Sequence, residues 1–288
     1  MLAGGYAVDA EAGVMGFILR RLRKRRQKRT FAEYGFEVRT FHLPRYGAVQ
    51  YAQWLHPGEG EKTITEGMLD SLRRFINEGD LVIDVGAHTG DTTVPMAIAA
   101  GASGCTLALE PNPYVFRVLE ANARLNPGLT KIVPLNFAAT EEDGEFTFDY
   151  SDASYCDGGY LSQIRNRKHG HGYPLRVEGR NLEKLLREEY ASLLGRLSYV
   201  KIDTEGYDRI VIRSISSILR ECRPVVVTEV YKRLVEEERR LLFEALEEAE
   251  YTCFRHLGGD CPQGERVGRE DMMKWRTFDI LAIPRERG

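Results

Sequence analysis

The chain has 288 residues, of which 43% are apolar, enough for one large domain with an appendage and a well-filled core. Its net charge is −3, but residues 1–30 carry +6 (Arg20, Arg21, Arg23, Lys24, Arg25, Arg26, Lys28 and Arg29 against Asp9 and Glu11), leaving −9 on the remainder. An acidic body argues against a broad nucleic-acid face, and no stretch reaches the roughly 18 apolar residues of a bilayer-spanning helix.

The start, MLAGGYAVDAEAGVMGFILRRLRK, does not read as a signal peptide, because two acids precede a short apolar run and the basic cluster follows it. Cys105, Cys156, Cys222, Cys253 and Cys261 form no CxxC and are odd in number. Reduced thiols in a cytoplasmic protein are therefore expected, without a disulfide framework or a zinc site. Residues 14–29 put Val14, Phe17, Ile18 and Leu19 before the basic cluster. Two readings stand: a solvated arm, or a basic amphipathic segment that touches an anionic membrane surface.

Residues 35–55 read as two short strands around the turn Pro44-Arg45-Tyr46-Gly47. Thr63-Ile-Thr-Glu66 has the spacing of a capping box ahead of a helix with Met68, Leu69, Leu72, Phe75 and Ile76 on one face. An alternation follows: strand Leu81–Val85, helix Thr89–Ala100, strand Cys105–Leu109, helix Tyr114–Leu125, strand Ile132–Leu135 and strand Glu145–Asp149. After a polar, glycine-rich stretch (Ser151 to Gly172) come helix Arg180–Glu189, strand Ser198–Ile202, helix Tyr207–Leu219, strand Pro224–Val230 and helix Leu234–Ala249. Tyr251–His256 and Thr277–Ile283 close the chain as strands, one of them expected antiparallel because no clear helix joins them. This pattern predicts an α/β fold, a mainly parallel sheet with helices on both faces. Residues 31–288 read as one domain behind the arm at residues 1–30.

In such a sheet, ligands sit beyond the carboxyl ends of the strands. LVIDVGAHTGDTT (Leu81 to Thr93) places Asp84 at a strand end, Gly86 where the backbone must bend, and Gly90 where the next helix packs close. An acid before the loop suits a cationic ligand and opposes a pyrophosphate, which needs exposed N–H groups and no nearby carboxylate. Glu110 ends the next strand, where a carboxylate can take both hydroxyls of a ribose. This order and spacing fit S-adenosylmethionine better than NAD. Phe137, in Asn136-Phe137-Ala138-Ala139, stacks on the adenine or simply fills the core.

LVIDVGAHTGDTT, LEPNP, the pair NARLN and NFAA, and above all YVKIDTEGYD resemble the FkbM family of S-adenosylmethionine-dependent methyltransferases over about residues 63–283. The resemblance implies a Rossmann-like class I methyltransferase sheet of seven strands, the seventh antiparallel. It also implies methylation of hydroxyl groups, often on sugars or natural products. One departure is His88, where the family commonly carries Asn. The residues expected at the cofactor are Glu66, Asp84, Gly86, His88, Gly90, Asp91, Glu110, Asn112, Phe137, Ala138 and Asp203.

An alcohol must lose a proton to attack a methyl group, so a base or a metal has to help. Asp203 and Glu205 follow the fourth sheet strand and Glu229 ends the fifth. Asp203 with Glu229 is a candidate Mg²⁺ pair, while Asp203 or Glu205 alone is a candidate base. A plainer alternative has Glu205 and Asp208 capping the helix from Tyr207. The stretch SDASYCDGGYLSQIRNRKHGHGYPLRVEGR reads as a lid. In it Tyr155, Tyr160, Ser162, Gln163, His169 and His171 are candidate contacts for a small-molecule or carbohydrate acceptor, with His169 or His171 as base, or are merely surface residues of the loop. The expected function is O-methylation of a sugar, glycan, glycolipid or natural product. An N-methyltransferase, a non-catalytic cofactor-binding protein and an NAD-dependent oxidoreductase stand as alternatives, and the oligomeric state, a homodimer included, is left open.

Overall fold

The computed structural model describes residues 29–156, 159–161, 172–258 and 262–287. Nearly all of the basic segment, together with Ser162, Gln163, His169, His171 and Cys261, lies outside the described residues.

Strands β1 (Phe36–Leu43) and β2 (Gly47–Trp54) form an antiparallel hairpin. Its turn places Gly47 at a left-handed φ of 75°, a conformation that costs a glycine little. Helix α1 (Glu66–Leu72) starts at Thr65, whose hydroxyl accepts from the Met68 N–H at 3.3 Å. The expected capping box at Thr63 does not form: the cap lies two residues later, with Met68 and no acid three residues beyond it, and the helix ends before Phe75 and Ile76.

Strand β3 (Leu81–Val85) is buried throughout, as a parallel strand covered on both faces must be. Leu81, Ile83 and Val85 face the larger core, with Val211 and Leu242, while Val82 faces a second core with Met96 and Ala99. This is the period-two division expected of a strand between two helical layers. Helix α2 (Thr93–Ala100) is buried on every side and begins later than expected. Gly90 holds φ at 92°, so the chain is still bending there. Pro95 falls in the first turn, where no intrahelical bond is lost.

Strand β4 (Cys105–Leu109), helix α3 (Pro113–Leu125) and strand β5 (Ile132–Leu135) follow as expected. Strand β10 (Leu197–Ile202), strand β11 (Val225–Val230), helix α7 (Glu236–Glu248), strand β12 (Tyr251–His256), strand β13 (Gln263–Arg266) and strand β14 (Phe278–Pro284) complete the main layer. The main sheet runs β13-β12-β14-β11-β10-β3-β4-β5. Strands β11, β10, β3, β4 and β5 are mutually parallel, and β14 lies antiparallel between β11 and β12. The expected antiparallel strand is thus β14. The sheet has eight strands rather than seven, because β13 pairs antiparallel with β12 at the edge.

Two expectations fail locally. The helix from Tyr207 to Leu219 is broken at Ile215 into α5 (Asp208–Ser214) and α6 (Ser216–Cys222). Ser214 turns its hydroxyl back to the Val211 carbonyl at 2.8 Å, a contact that competes with the helical ladder. The helix expected from Arg180 begins only at α4 (Leu182–Glu189), capped by Asn181, which accepts from the Lys184 N–H at 2.9 Å.

Before α4 the chain is strand β9 (Tyr173–Asn181). It pairs with β6 (Ala138–Thr140) on one side and with β7 (Gly144–Tyr150) on the other, and β8 (Tyr160–Leu161) completes a second sheet, β6-β9-β7-β8. Strand β7 therefore belongs to this smaller sheet and not to the main one. Among the described residues no helix is long and apolar enough to cross a membrane.

Candidate active site

The chain leaves β3 toward β4 on one side, while β10 and β11 are added on the other. This is the switch point where a crevice opens in a doubly wound sheet. A cleft of about 340 Å³ lies there, floored by Val85, Gly86, Leu109 and Asp203 and walled by Phe148 and Tyr150 of the second sheet.

The floor depends on one glycine. Gly86 has φ 80°, and a Cβ added to it would stand 2.0 Å from the Asp203 carbonyl oxygen. The Asp203 N–H donates to the Val85 carbonyl at 2.9 Å, so the two strand ends are locked together where they meet. Gly90, at φ 92°, would press a Cβ to 3.0 Å from Leu119 Cδ1. Between them His88 also adopts a left-handed backbone, φ 49°. Histidine and asparagine tolerate that region better than most residues, so the departure from the family's Asn keeps the shape of the bend.

The N–H groups of the bend are engaged internally. Gly86 and Ala87 both donate to the Leu109 carbonyl, at 3.0 and 2.9 Å, and Gly90 donates to the Ala87 carbonyl at 2.8 Å. The His88 N–H donates to Glu110 Oε2 at 2.9 Å, and the Asn112 N–H to Glu110 Oε1 at 2.8 Å. A pyrophosphate needs such groups free. Glu110 is buried at the cleft wall, and that burial pushes its carboxyl up. Each of its oxygens already takes one backbone N–H, with a further lone pair for a ligand hydroxyl.

The cleft lining is acidic. Glu59, Asp91, Glu110, Asp203 and Glu205 face it against Lys62 and Lys201. Burial alone would push the Asp91 carboxyl up, but Lys62 Nζ at 2.7 Å holds it below its usual range. Burial would likewise pull Lys201 down, yet Asp203 at 3.2 Å and Asp84 at 3.7 Å keep its ammonium well above its ordinary value.

Asp84, expected to touch the cofactor, does not line the cleft. It is fully buried, and its Oδ2 accepts from the hydroxyls of Thr92 (2.9 Å) and Thr93 (2.6 Å). Its place is behind Lys201, joining that ammonium to the start of α2. Glu66 is likewise outside the cleft lining: its carboxylate accepts from the Arg45 N–H at 2.7 Å, on the surface near α1. Asn112 does line the cleft, but its side chain caps α3 through the Tyr114 N–H (3.0 Å) and donates to the Tyr155 carbonyl (2.7 Å). Phe137 is 4% exposed and packed in the larger core, and it also lines the cleft beside Ala138.

Asp203 and Glu205 both face the cleft. Glu205 has φ 56° and Gly206 φ 103°, so a non-glycine residue is held left-handed in the loop that lines the cleft. Asp208 imposes this turn without capping a helix in the expected way. Its buried carboxylate takes the Thr204 hydroxyl (2.8 Å) and the Gly206 N–H (3.1 Å), and reaches Thr228 on β11 (3.1 Å). Burial and the neighbouring Asp203 push it up to about 7.

Of the expected Mg²⁺ pair, only Asp203 lines the cleft. Glu229 is absent from the cleft lining, accepts from Thr277 at 3.1 Å, and is pushed up to about 8 by burial and by Asp203, Glu205 and Asp208. Among the described residues, the three metal-ligating side chains that converge are instead Glu59, His88 and Cys156, with ligand atoms within 4.8 Å of one another. Tyr155 stacks on Tyr114, ring centroids 5.2 Å apart, outside the cleft lining. His169 and His171 lie outside the described residues.

Glu59, Lys62 and Lys201 escaped the sequence reading. A lysine between Val200 and Ile202 in a buried strand carried a signal, because an ammonium there demands carboxylate partners. Glu59 and Lys62 carried none, since their place depends on how the segment before α1 crosses the cleft.

A sheet with β14 inserted antiparallel, a glycine bend locked under a strand-end acid, and an acidic crevice between them define the Rossmann-like class I methyltransferase fold. The Methyltransferase FkbM domain matches residues 84–257, more than half of the chain, and the chain belongs to that family. Among solved structures it is similar to the methyltransferase FkbM from Methylobacillus flagellatus KT, at 14% identity and a TM-score of 0.45 over 72% of this chain and 44% of that one. This chain thus covers less than half of that protein's length. It is also similar to a SAM-dependent O-methyltransferase from Thermotoga maritima, at 14% identity and a TM-score of 0.42 over 85% of this chain and 77% of that one. No curated relative matches this chain.

Proposed function

We propose that this protein uses S-adenosylmethionine to methylate a hydroxyl group on a sugar, glycan, glycolipid or natural product. The observation that carries the reading is the charge and donor pattern of the cleft. Its bend offers neither the free N–H groups nor the positive field that a dinucleotide pyrophosphate requires, while five carboxyl groups against two ammonium groups suit a cationic sulfonium nucleoside. Glu110 would take the ribose hydroxyls and Phe137 with Ala138 the adenine, and Asp203 at the end of β10 would lie toward the sulfonium. When bound, the cofactor supplies the electrophilic methyl group.

The protein's own part is alignment, exclusion of water and removal of one proton. Phe148 and Tyr150 of the second sheet close the wall above the bend. Asp203 keeps 45% of its side chain exposed while Lys201 steadies it at 3.2 Å, so it can meet an incoming hydroxyl. Asp203 is the favoured base, with Glu205 beside it on the strained turn.

The test is incubation with methyl-labelled cofactor and pooled glycans and hydroxylated metabolites, with and without EDTA. The expected result is label in an ether linkage, undiminished by EDTA. Label only on nitrogen would replace the acceptor assignment, and turnover lost to EDTA and restored by Mg²⁺ would replace the base.

A further inference from the structure

Strand β1 belongs to a sheet of two strands, so β2 covers only one of its edges. The register fixes which groups face the other edge. The Leu55 N–H donates to the Gly35 carbonyl at 2.9 Å, one step beyond the pair Phe36–Trp54. Hydrogen-bonded and non-bonded positions alternate along an antiparallel pair. Glu37, Arg39 and Phe41 therefore exchange bonds with β2, while Phe36, Val38, Thr40 and His42 point their N–H and C=O groups outward. Among the described residues no partner meets these groups. Edges of this kind are normally blunted by proline, a bulge, brevity or charge. β1 runs eight residues, FEVRTFHL, in unbroken register with β2 and without proline. Its two charged residues, Glu37 and Arg39, are opposite in sign and ion-paired at 2.7 Å. The strand also carries apolar surface, since Phe36 is 43% exposed and Val38 46%.

We propose that the free edge of β1 is the interface of a homodimer, in which two copies pair antiparallel about a two-fold axis through Val38. In that register Val38 meets the partner's Val38 and Phe36 meets the partner's Thr40 at the hydrogen-bonded positions, which are the positions whose groups point outward. Glu37 falls opposite the partner's Arg39 at the non-bonded positions, where side chains stand closest. The two charges of each strand thus complement those of the other. Other two-fold registers lose this match. Centring on Thr40 sets Arg39 against the partner's Phe41 and Glu37 against the partner's Leu43, and centring on Phe36 leaves a single residue of each strand to pair. A two-fold contact needs a surface complementary to itself, and this edge has one, so a second copy of the chain is the partner it fits. The main-chain bonds of strand addition supply the affinity, and a four-stranded sheet, β2-β1-β1-β2, results.

The test is sedimentation velocity of the full chain from roughly 1 to 100 µM, the range in which a small interface associates. The expected result is a reversible monomer–dimer equilibrium. Val38→Pro should leave only monomer. The Val38 N–H points away from β2, so the hairpin loses no bond while the new edge loses its central one. Glu37→Arg and Arg39→Glu should each weaken association roughly 10-fold or more, because both symmetry-related pairs become like-charged. An equimolar mixture of these two variants should dimerise again, since every Arg then faces a Glu across the edge. Circular dichroism of each variant should match that of the unaltered chain. Should Val38→Pro disturb the hairpin, the charge variants, which leave the backbone unaltered, still decide.

A full chain that stays monomeric throughout this range gives the edge to another strand or to water, and overturns the proposal. A dimer that a folded Val38→Pro leaves intact lies on another surface and overturns it too. So does a mixture of the charge variants that associates no better than either alone, which rules out this register.

Discussion

Replacing Gly86 with alanine tests the floor of the cleft. The added Cβ would lie 2.0 Å from the Asp203 carbonyl oxygen, where real Cβ atoms essentially never come closer than 3.0 Å. The two strand ends must then part by about 1 Å. The obstacle is backbone held by the bond from the Asp203 N–H to the Val85 carbonyl, so no side chain can swing aside. A left-handed φ costs alanine about 1–2 kcal/mol, and forced overpacking costs about 1–3 kcal/mol more, so Gly86→Ala should lose about 2–5 kcal/mol. Because the same opening displaces Asp203, affinity for S-adenosylhomocysteine should fall alongside stability. Urea unfolding followed by the fluorescence of Trp54 and Trp275, with a ligand titration in parallel, measures both. Gly128→Ala is the control, since nothing lies within 4 Å of its added Cβ, and it should change stability by no more than about 0.5 kcal/mol. If Gly86→Ala matched this control in both assays, the close approach of β3 to Asp203 would be wrong.

Lys201→Met should destabilise the protein by about 3–5 kcal/mol, because it leaves Asp84 buried without its cation, and Asp84→Asn in the same chain should recover part of that loss; strictly additive losses in urea unfolding would contradict the pairing. Glu229 is pushed up to about 8 from an ordinary value of 4.5, so between those limits the folded protein holds a proton that the unfolded chain has released. Stability should therefore fall as pH rises from about 4.5 to about 8, by at most about 1.4 kcal/mol per pH unit for one proton, and then level off. Asp208, pushed up to about 7, adds a fall of the same sign below that pH, so Glu229→Gln should remove only part of the slope below pH 7 and flatten it between about 7 and 8; an unchanged slope there would place the titration elsewhere. Asp203→Asn should abolish methyl transfer while S-adenosylhomocysteine still binds; near-normal turnover would shift the proton-accepting role to Glu205.

The main sheet was legible where chemistry is local. Leu81–Val85 and Cys105–Leu109 are continuous apolar runs with turn residues at both ends, and both strands begin and end as the pattern says. The second sheet was not. Tyr173–Asn181 mixes Pro174, Gly179 and alternating charges, and it becomes a strand through its register with β7, as in Val177 opposite Phe146. The helix expected at Arg180 also overlooked Asn181, whose side chain marks the true start.

In the site, the acid–glycine–glycine spacing and Glu110 identified the crevice, but not which acid faces it. Asp84 is withdrawn by two threonine hydroxyls and Lys201, partners whose combined effect appears only once β3, β10 and α2 are packed together. Glu59 and Lys62 come from a segment with no periodic pattern, so only the path of the chain brings them to the cleft.

The central claim is that the crevice between β3, β4 and β10 holds a sulfonium nucleoside through Glu110 and has no place for a pyrophosphate. Side-by-side calorimetric titration of the full chain and of Glu110→Ala with S-adenosylmethionine and with NAD tests it directly. One site for S-adenosylmethionine, lost or greatly weakened in Glu110→Ala, with no heat from NAD, is the predicted result. Saturable NAD binding, or S-adenosylmethionine binding that Glu110→Ala leaves unchanged, would contradict it.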